Sequence, residues 1–155
     1  MGLQKAVATA GVVIMTTAMA LAADVAPGDV VVEDLKVAAS LTGTPGNPED
    51  GAKTMIDRRL GNCLACHSVS ALKDQLFHGD VAPPLDGVAD GWSPEELRAI
   101  VVDAKKVFTE ESVMPGFYSL DVGINVREDL VGKTILTAQQ VEDVVAYLST
   151  LKEAN

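Results

Sequence analysis

The sequence predicts an all-α domain in which long loops enclose a large ligand, and three observations carry that prediction. Two segments open with box-type helix caps, at Ser93 and at Thr137, and continue with apolar residues at helical spacing. The connecting stretches 68–92 and 109–136 are rich in Gly and Pro, and are too long for a small helical domain to keep unless they wrap something. No internal repeat, low-complexity tract or sustained heptad points instead to a solenoid or a coiled coil. At 155 residues, 48% apolar and 4% aromatic, the chain fits one small domain rather than two. A net charge of −10 excludes nucleic acid and an anionic membrane surface as partners, because both would repel it; basic or redox partners fit.

The first element is residues 1–23. It carries a single charge, Lys5, then an uncharged run from Ala6 to Ala22 that ends in Ala20-Leu21-Ala22 ahead of Asp24. Much of the positive mean hydropathy of +0.22 is concentrated there. The pattern is that of a secretory signal peptide cleaved after Ala22 or Ala23, the alternative being an uncleaved membrane anchor. Export without an anchor places the mature chain in the periplasm with no membrane attachment, where two free thiols oxidise unless committed to something else.

Residues 24–48 read as an irregular acidic extension, with Val30-Val31-Val32-Glu33-Asp34-Leu35 followed by the turn-rich Thr42-Gly43-Thr44-Pro45-Gly46-Asn47-Pro48. It is either a loosely docked arm on its own domain or a strap for a partner subunit. The domain proper is 49–155. A helix over 49–60 is predicted by acidic residues in its first turn and by Ala52, Met55, Ile56 and Leu60 on one face. In the next helix Ser93 caps, Pro94 takes the first helical position, Glu96 closes the box, and Leu97, Ile100 and Val101 form the stripe. The last begins at Thr137 with Gln140 reciprocating, and Val141, Val144, Val145, Leu148 and Leu151 hold the spacing.

Both cysteines fall in Cys63-Leu64-Ala65-Cys66-His67, the C-x-x-C-H pattern of c-type haem attachment. Two thiols three residues apart on a turn can each add to one vinyl group, and the adjacent imidazole then lies under the iron. Such attachment commits both thiols as thioethers in an oxidising space, and the cofactor it implies is one covalently bound haem c. Two other uses of these residues compete. A thioredoxin-like dithiol wants a strand before the motif and a βαβ frame, where this chain offers a helix and long loops. A zinc site from Cys63, Cys66, His67 and His78 has awkward spacing for one tetrahedral ion.

For the iron's sixth position the sequence offers Met114, with His78 as the alternative. Met1, Met15 and Met19 leave with the signal peptide, and Met55 sits on a helix face where a buried methionine is core. Met114 lies in Val113-Met114-Pro115-Gly116-Phe117, and Met opposite His is a common cytochrome c pair that raises the potential. The stretch Pro83-Pro84-Leu85-Asp86-Gly87 either offers a proline carbonyl to His67 or is an ordinary turn. Trp92 is expected against the haem edge, Phe117, Tyr118 and Tyr147 in the core, His78 at the surface, and Arg58 and Arg59 in solvent.

These residues together resemble the class I cytochromes c over about residues 49–152. More narrowly, Arg58 to His67, Ser112 to Tyr118 and the acidic extension resemble the SoxX subunits of the bacterial sulfur-oxidation cytochrome complex SoxAX. The resemblance implies the class I cytochrome c fold, haem thioethers on Cys63 and Cys66, and His67 and Met114 as axial iron ligands. It also implies a heterodimer with a larger SoxA-type cytochrome subunit. In that family the pair acts as an L-cysteine S-thiosulfotransferase, oxidatively coupling thiosulfate to a cysteine of a sulfur-carrier protein. This chain would accept electrons and pass them to a small soluble acceptor such as a cytochrome c. With both thiols on haem the chain keeps no nucleophile for sulfur, so it holds no catalytic residue and the catalytic cysteine belongs to the partner. The competing functions are a free periplasmic cytochrome c shuttle and a haem-free thiol oxidoreductase.

Overall fold

The computed structural model describes residues 23–153 apart from Val122, so the expected signal peptide lies outside the described residues except for Ala23. Asn47 starts α1 (Pro48–Ile56): its side chain accepts the Glu49 N–H at 2.9 Å, and Pro48 fills a position whose N–H has no helical partner. The helix stops four residues short of the expected Leu60. Asp57 turns extended, its carboxylate takes the Arg59 N–H at 2.7 Å, and the Gly61 N–H returns to the Thr54 carbonyl at 3.1 Å. Leu60 is outside the helix and still packs half-buried on the core, while Arg58 and Arg59 are exposed in the turn.

The loop 68–92 contains a short helix, α2 (Val88–Gly91). Both box-capped helices form where their caps predict: α3 (Pro94–Val107) behind Ser93 and Glu96, and α4 (Ala138–Leu148) behind Thr137 and Gln140. Leu151 lies beyond α4, yet it is buried and its carbonyl accepts the Ala89 N–H at 3.1 Å. α3 is broken within, because Asp103 leaves helical geometry at φ −159° and ψ 95°. Among the described residues the only sheet-like pairing is an isolated bridge between Glu33 and Lys36.

α4 is the central element, with α1 and α3 packed on it. Gly51 permits a close approach: a Cβ there would lie 2.0 Å from the Asp143 carbonyl oxygen of α4. Met55, Leu97, Val141 and Val144 fill the space between these helices, joined by Leu41, Val69 and Leu136 from the loops.

The extension is not loosely docked. Val30, Val37 and Leu41 are buried in the same core, and the backbone between them is tied to the helices. The Val37 N–H reaches the Glu95 carbonyl at 3.1 Å, and its own carbonyl accepts Arg98 Nη1 at 2.9 Å. The Leu41 N–H reaches Glu142 Oε1 at 2.8 Å, and Tyr118 Oη donates to the Val25 carbonyl at 2.8 Å. The Arg98–Glu142 ion pair that receives this segment is itself buried and bidentate, at 2.8 and 3.0 Å. Main-chain polar groups cannot be buried without partners, and the pair supplies them.

Candidate haem-attachment site

The cysteine motif does not continue from α1. Asn62 adopts left-handed geometry at φ +47°, one of the few residue types that tolerates it, and redirects the chain into a 3-10 turn, Cys63–Ala65. The Cys63 carbonyl accepts both the Cys66 N–H (3.1 Å) and the His67 N–H (2.9 Å), which places both thiols and the imidazole on one tight turn.

A second segment then runs along the motif. The N–H groups of Gly79, Ala82 and Leu85 donate to the carbonyls of Leu64, Cys66 and Ser68 at 2.8, 3.0 and 2.9 Å. Gly79 makes this possible, since a Cβ there would sit 2.2 Å from the Ala65 carbonyl oxygen. Asp86 closes the arrangement by accepting the Ser70 N–H at 3.0 Å. The alignment delivers the Pro83 carbonyl to His67, 2.7 Å from Nδ1. Of the two readings of the Pro-Pro turn, the structure has the carbonyl contact. A carbonyl only accepts, so Nδ1 carries the proton and Nε2 keeps its lone pair for a metal.

His67, Cys63 and Cys66 are half-buried, and both cysteines are free. Burial pushes the Cys63 thiol up to about 12, its own backbone pulling slightly the other way and Cys66 adding to the rise. A free Cys63 is therefore a neutral thiol at physiological pH, the opposite of the activated thiolate a dithiol oxidoreductase needs. The zinc reading also fails to assemble: among the described residues no group of three or more His, Cys, Asp or Glu side chains is placed to hold a metal ion.

His78 is not the surface histidine expected. It is half-buried and bridges its own loop, Nδ1 accepting the Val69 N–H and Nε2 donating to the Leu72 carbonyl, each at 3.1 Å. With both ring nitrogens engaged it has no lone pair to offer iron. Met114 is half-buried and packs against the core, as Cys63 does. Phe117 and Tyr118 are core residues, Tyr147 is half-buried, and Trp92 stands edge-on to Phe108 with centroids 5.8 Å apart. Two thiols on one turn and an oriented imidazole with Nε2 unspent fit covalent haem.

Sequence reasoning missed Asp103 and Lys105, which shape the loop carrying Met114. The available signal was an acid in the middle of an apolar helical stripe.

The cytochrome c family matches residues 48–152 of the chain. The chain is also similar to one in the crystal structure of SoxXA from P. pantotrophus, with 48% identity and a TM-score of 0.78 over 84% of this chain and 100% of that one. No curated protein matches it.

Proposed function

Because the chain belongs to the cytochrome c family and, within it, to the SoxX-type monohaem subunits, we propose that it is the electron-accepting half of a SoxAX-type L-cysteine S-thiosulfotransferase. In this reading Cys63 and Cys66 hold haem c through thioethers, and His67 Nε2 and Met114 Sδ are the axial ligands. Bound haem c supplies a one-electron redox centre. The Pro83 carbonyl makes His67 a more basic ligand and holds its ring plane, and the turn starting at Asn62 sets the spacing of the two sulfurs.

Coupling a carrier thiol to thiosulfate forms a sulfur–sulfur bond and releases one proton and two electrons. The chain holds one electron at a time and passes each to a small soluble acceptor, such as a cytochrome c. It cannot form the bond itself, since both its thiols are spent; the partner, a larger SoxA-type cytochrome subunit, supplies the cysteine and meets the sulfur-carrier protein. Leu76, Phe77 and Val81 are exposed on the segment that passes the attachment turn, an apolar edge suited to that partner. The signal-like residues 1–23 fit a periplasmic protein, and among the described residues no helix is long and apolar enough to cross a membrane.

The observation that carries the reading is the His67–Pro83 contact beside two free thiols in a chain 48% identical to one of SoxXA. Size-exclusion chromatography of the natively purified protein, with haem staining and mass spectrometry of each denatured band, tests it. A haem-stained band of this chain eluting with a second cytochrome subunit is the expected result. Elution alone with haem would move the protein to the free-shuttle reading, and a chain without haem would end both.

A further inference from the structure

The loop that carries Met114 is held at both ends by the broken part of α3. In an unbroken helix the carbonyls of Val101 and Val102 would accept from the N–H groups of Lys105 and Lys106. Asp103 leaves helical geometry, its Oδ1 takes the Lys105 N–H at 3.2 Å, and the two carbonyls are released. They accept instead from Phe117 and Tyr118, each at 3.2 Å, which fixes the loop just after Met114-Pro115-Gly116. Gly116 is tightly packed here: a Cβ would come 2.8 Å from Ser119 Cβ and 3.2 Å from the Asp103 carboxylate. The other end is fixed by the Lys105 ammonium, which donates to the carbonyls of Glu110 (2.8 Å) and Ser112 (2.6 Å).

We propose that Lys105 is a positioning residue for the axial methionine: its ammonium, set by the Asp103 break, clamps the 110–112 backbone so that Met114 is presented to the iron and resists displacement. The proposal rests on Met114 as the sixth ligand. Loop opening is what an external ligand must wait for, so the affinity of a competitor for the iron reports the fraction of molecules in which the methionine is out of place.

The probe is imidazole, titrated into the ferric, haem-loaded full chain while the methionine-to-iron charge-transfer absorption is followed. Lys105→Met is expected to bind imidazole about threefold to tenfold more tightly than the parent protein, the effect of losing one exposed, charged clamp. Lys105→Arg keeps charge and donors and should restore parental affinity. Lys106→Met removes the same charge from the neighbouring exposed position without touching the loop, and should also match the parent. Because Lys105 is exposed, these variants are expected to melt at the parental temperature, which separates positioning from folding. Equal imidazole affinity in Lys105→Met and Lys106→Met overturns the proposal. Met114→Ala separates the two levels: if its charge-transfer absorption survives, the sixth-ligand reading falls and takes the clamp with it. If the absorption is lost while Lys105→Met behaves as the parent, the clamp alone is wrong.

Discussion

The ligand roles proposed for His67 and Met114 rest on different kinds of information. The imidazole is one peptide bond from Cys66, so its place beneath a haem follows from covalent connectivity, and its tautomer from the 2.7 Å contact with the Pro83 carbonyl. Met114 is 47 residues beyond His67, so the role proposed for it depends on how its loop folds and not on connectivity. Thioether ligation favours the reduced iron, so Met114→Ala should lower the reduction potential by roughly 0.2 V, a quarter of the roughly 0.8 V that axial ligands span. Spectroelectrochemical titration checks this, and an unchanged potential would name another ligand. Tyr118 offers a second residue-level test. Burial, with the charge of Asp24 adding to it, raises its phenol above the ordinary value, and the protonated hydroxyl donates to the Val25 carbonyl. The unfolded chain therefore loses this proton first. Stability from the group is complete below about pH 10 and falls as pH rises through the raised folded value. Tyr118→Phe should cost about 1 kcal/mol at neutral pH and flatten that alkaline decline, as read by denaturant titrations between pH 7 and 11.

Among the elements, the N-terminal extension departs furthest from expectation. Its acidic, turn-rich sequence reads as an irregular extension, either a loosely docked arm or a strap for a partner, yet its polar backbone is paired inside the protein by Arg98 and Glu142. These two charges occupy positions on α3 and α4 that face the core, where an apolar residue would ordinarily continue the stripe. Arg98→Met should destabilise the holoprotein by about 3–5 kcal/mol, because it strands a buried carboxylate. The double variant Arg98→Met with Glu142→Met should cost less than that single change, leaving unpaired only the Val37 carbonyl and the Leu41 N–H. Chemical denaturation of the three proteins measures both differences; a double variant weaker than the single would contradict the account. The starts of α3 and α4 were legible in their reciprocal capping boxes, at Ser93 and Thr137, whereas Asn47, which caps α1, reads in the sequence as part of a turn. The end of α1 was not, because the apolar spacing continues to Leu60 after the backbone has turned at Asp57.

For the molecule as a whole, a charge of −10 sets how it meets other proteins rather than how it folds. Its electron transfer to a cationic acceptor should slow by about tenfold as ionic strength rises from about 10 to about 150 mM, the Debye length contracting from roughly 30 to 8 Å. Stopped-flow mixing at several salt concentrations reads this directly, and a salt-independent rate would remove long-range steering from the account. The sequence by itself determined what depends on neighbours along the chain: the capped helices, the acidic charge, and the Cys63–His67 motif with its commitment of both thiols. Only the tertiary structure decided the Pro83 contact, the engagement of both His78 nitrogens, the docking of the extension and the clamp on the Met114 loop. Caps and attachment motifs act over three or four residues, where chain geometry alone brings the groups together. The other contacts pair buried polar groups from distant segments, and which groups are buried together is settled only when α1 and α3 close on α4.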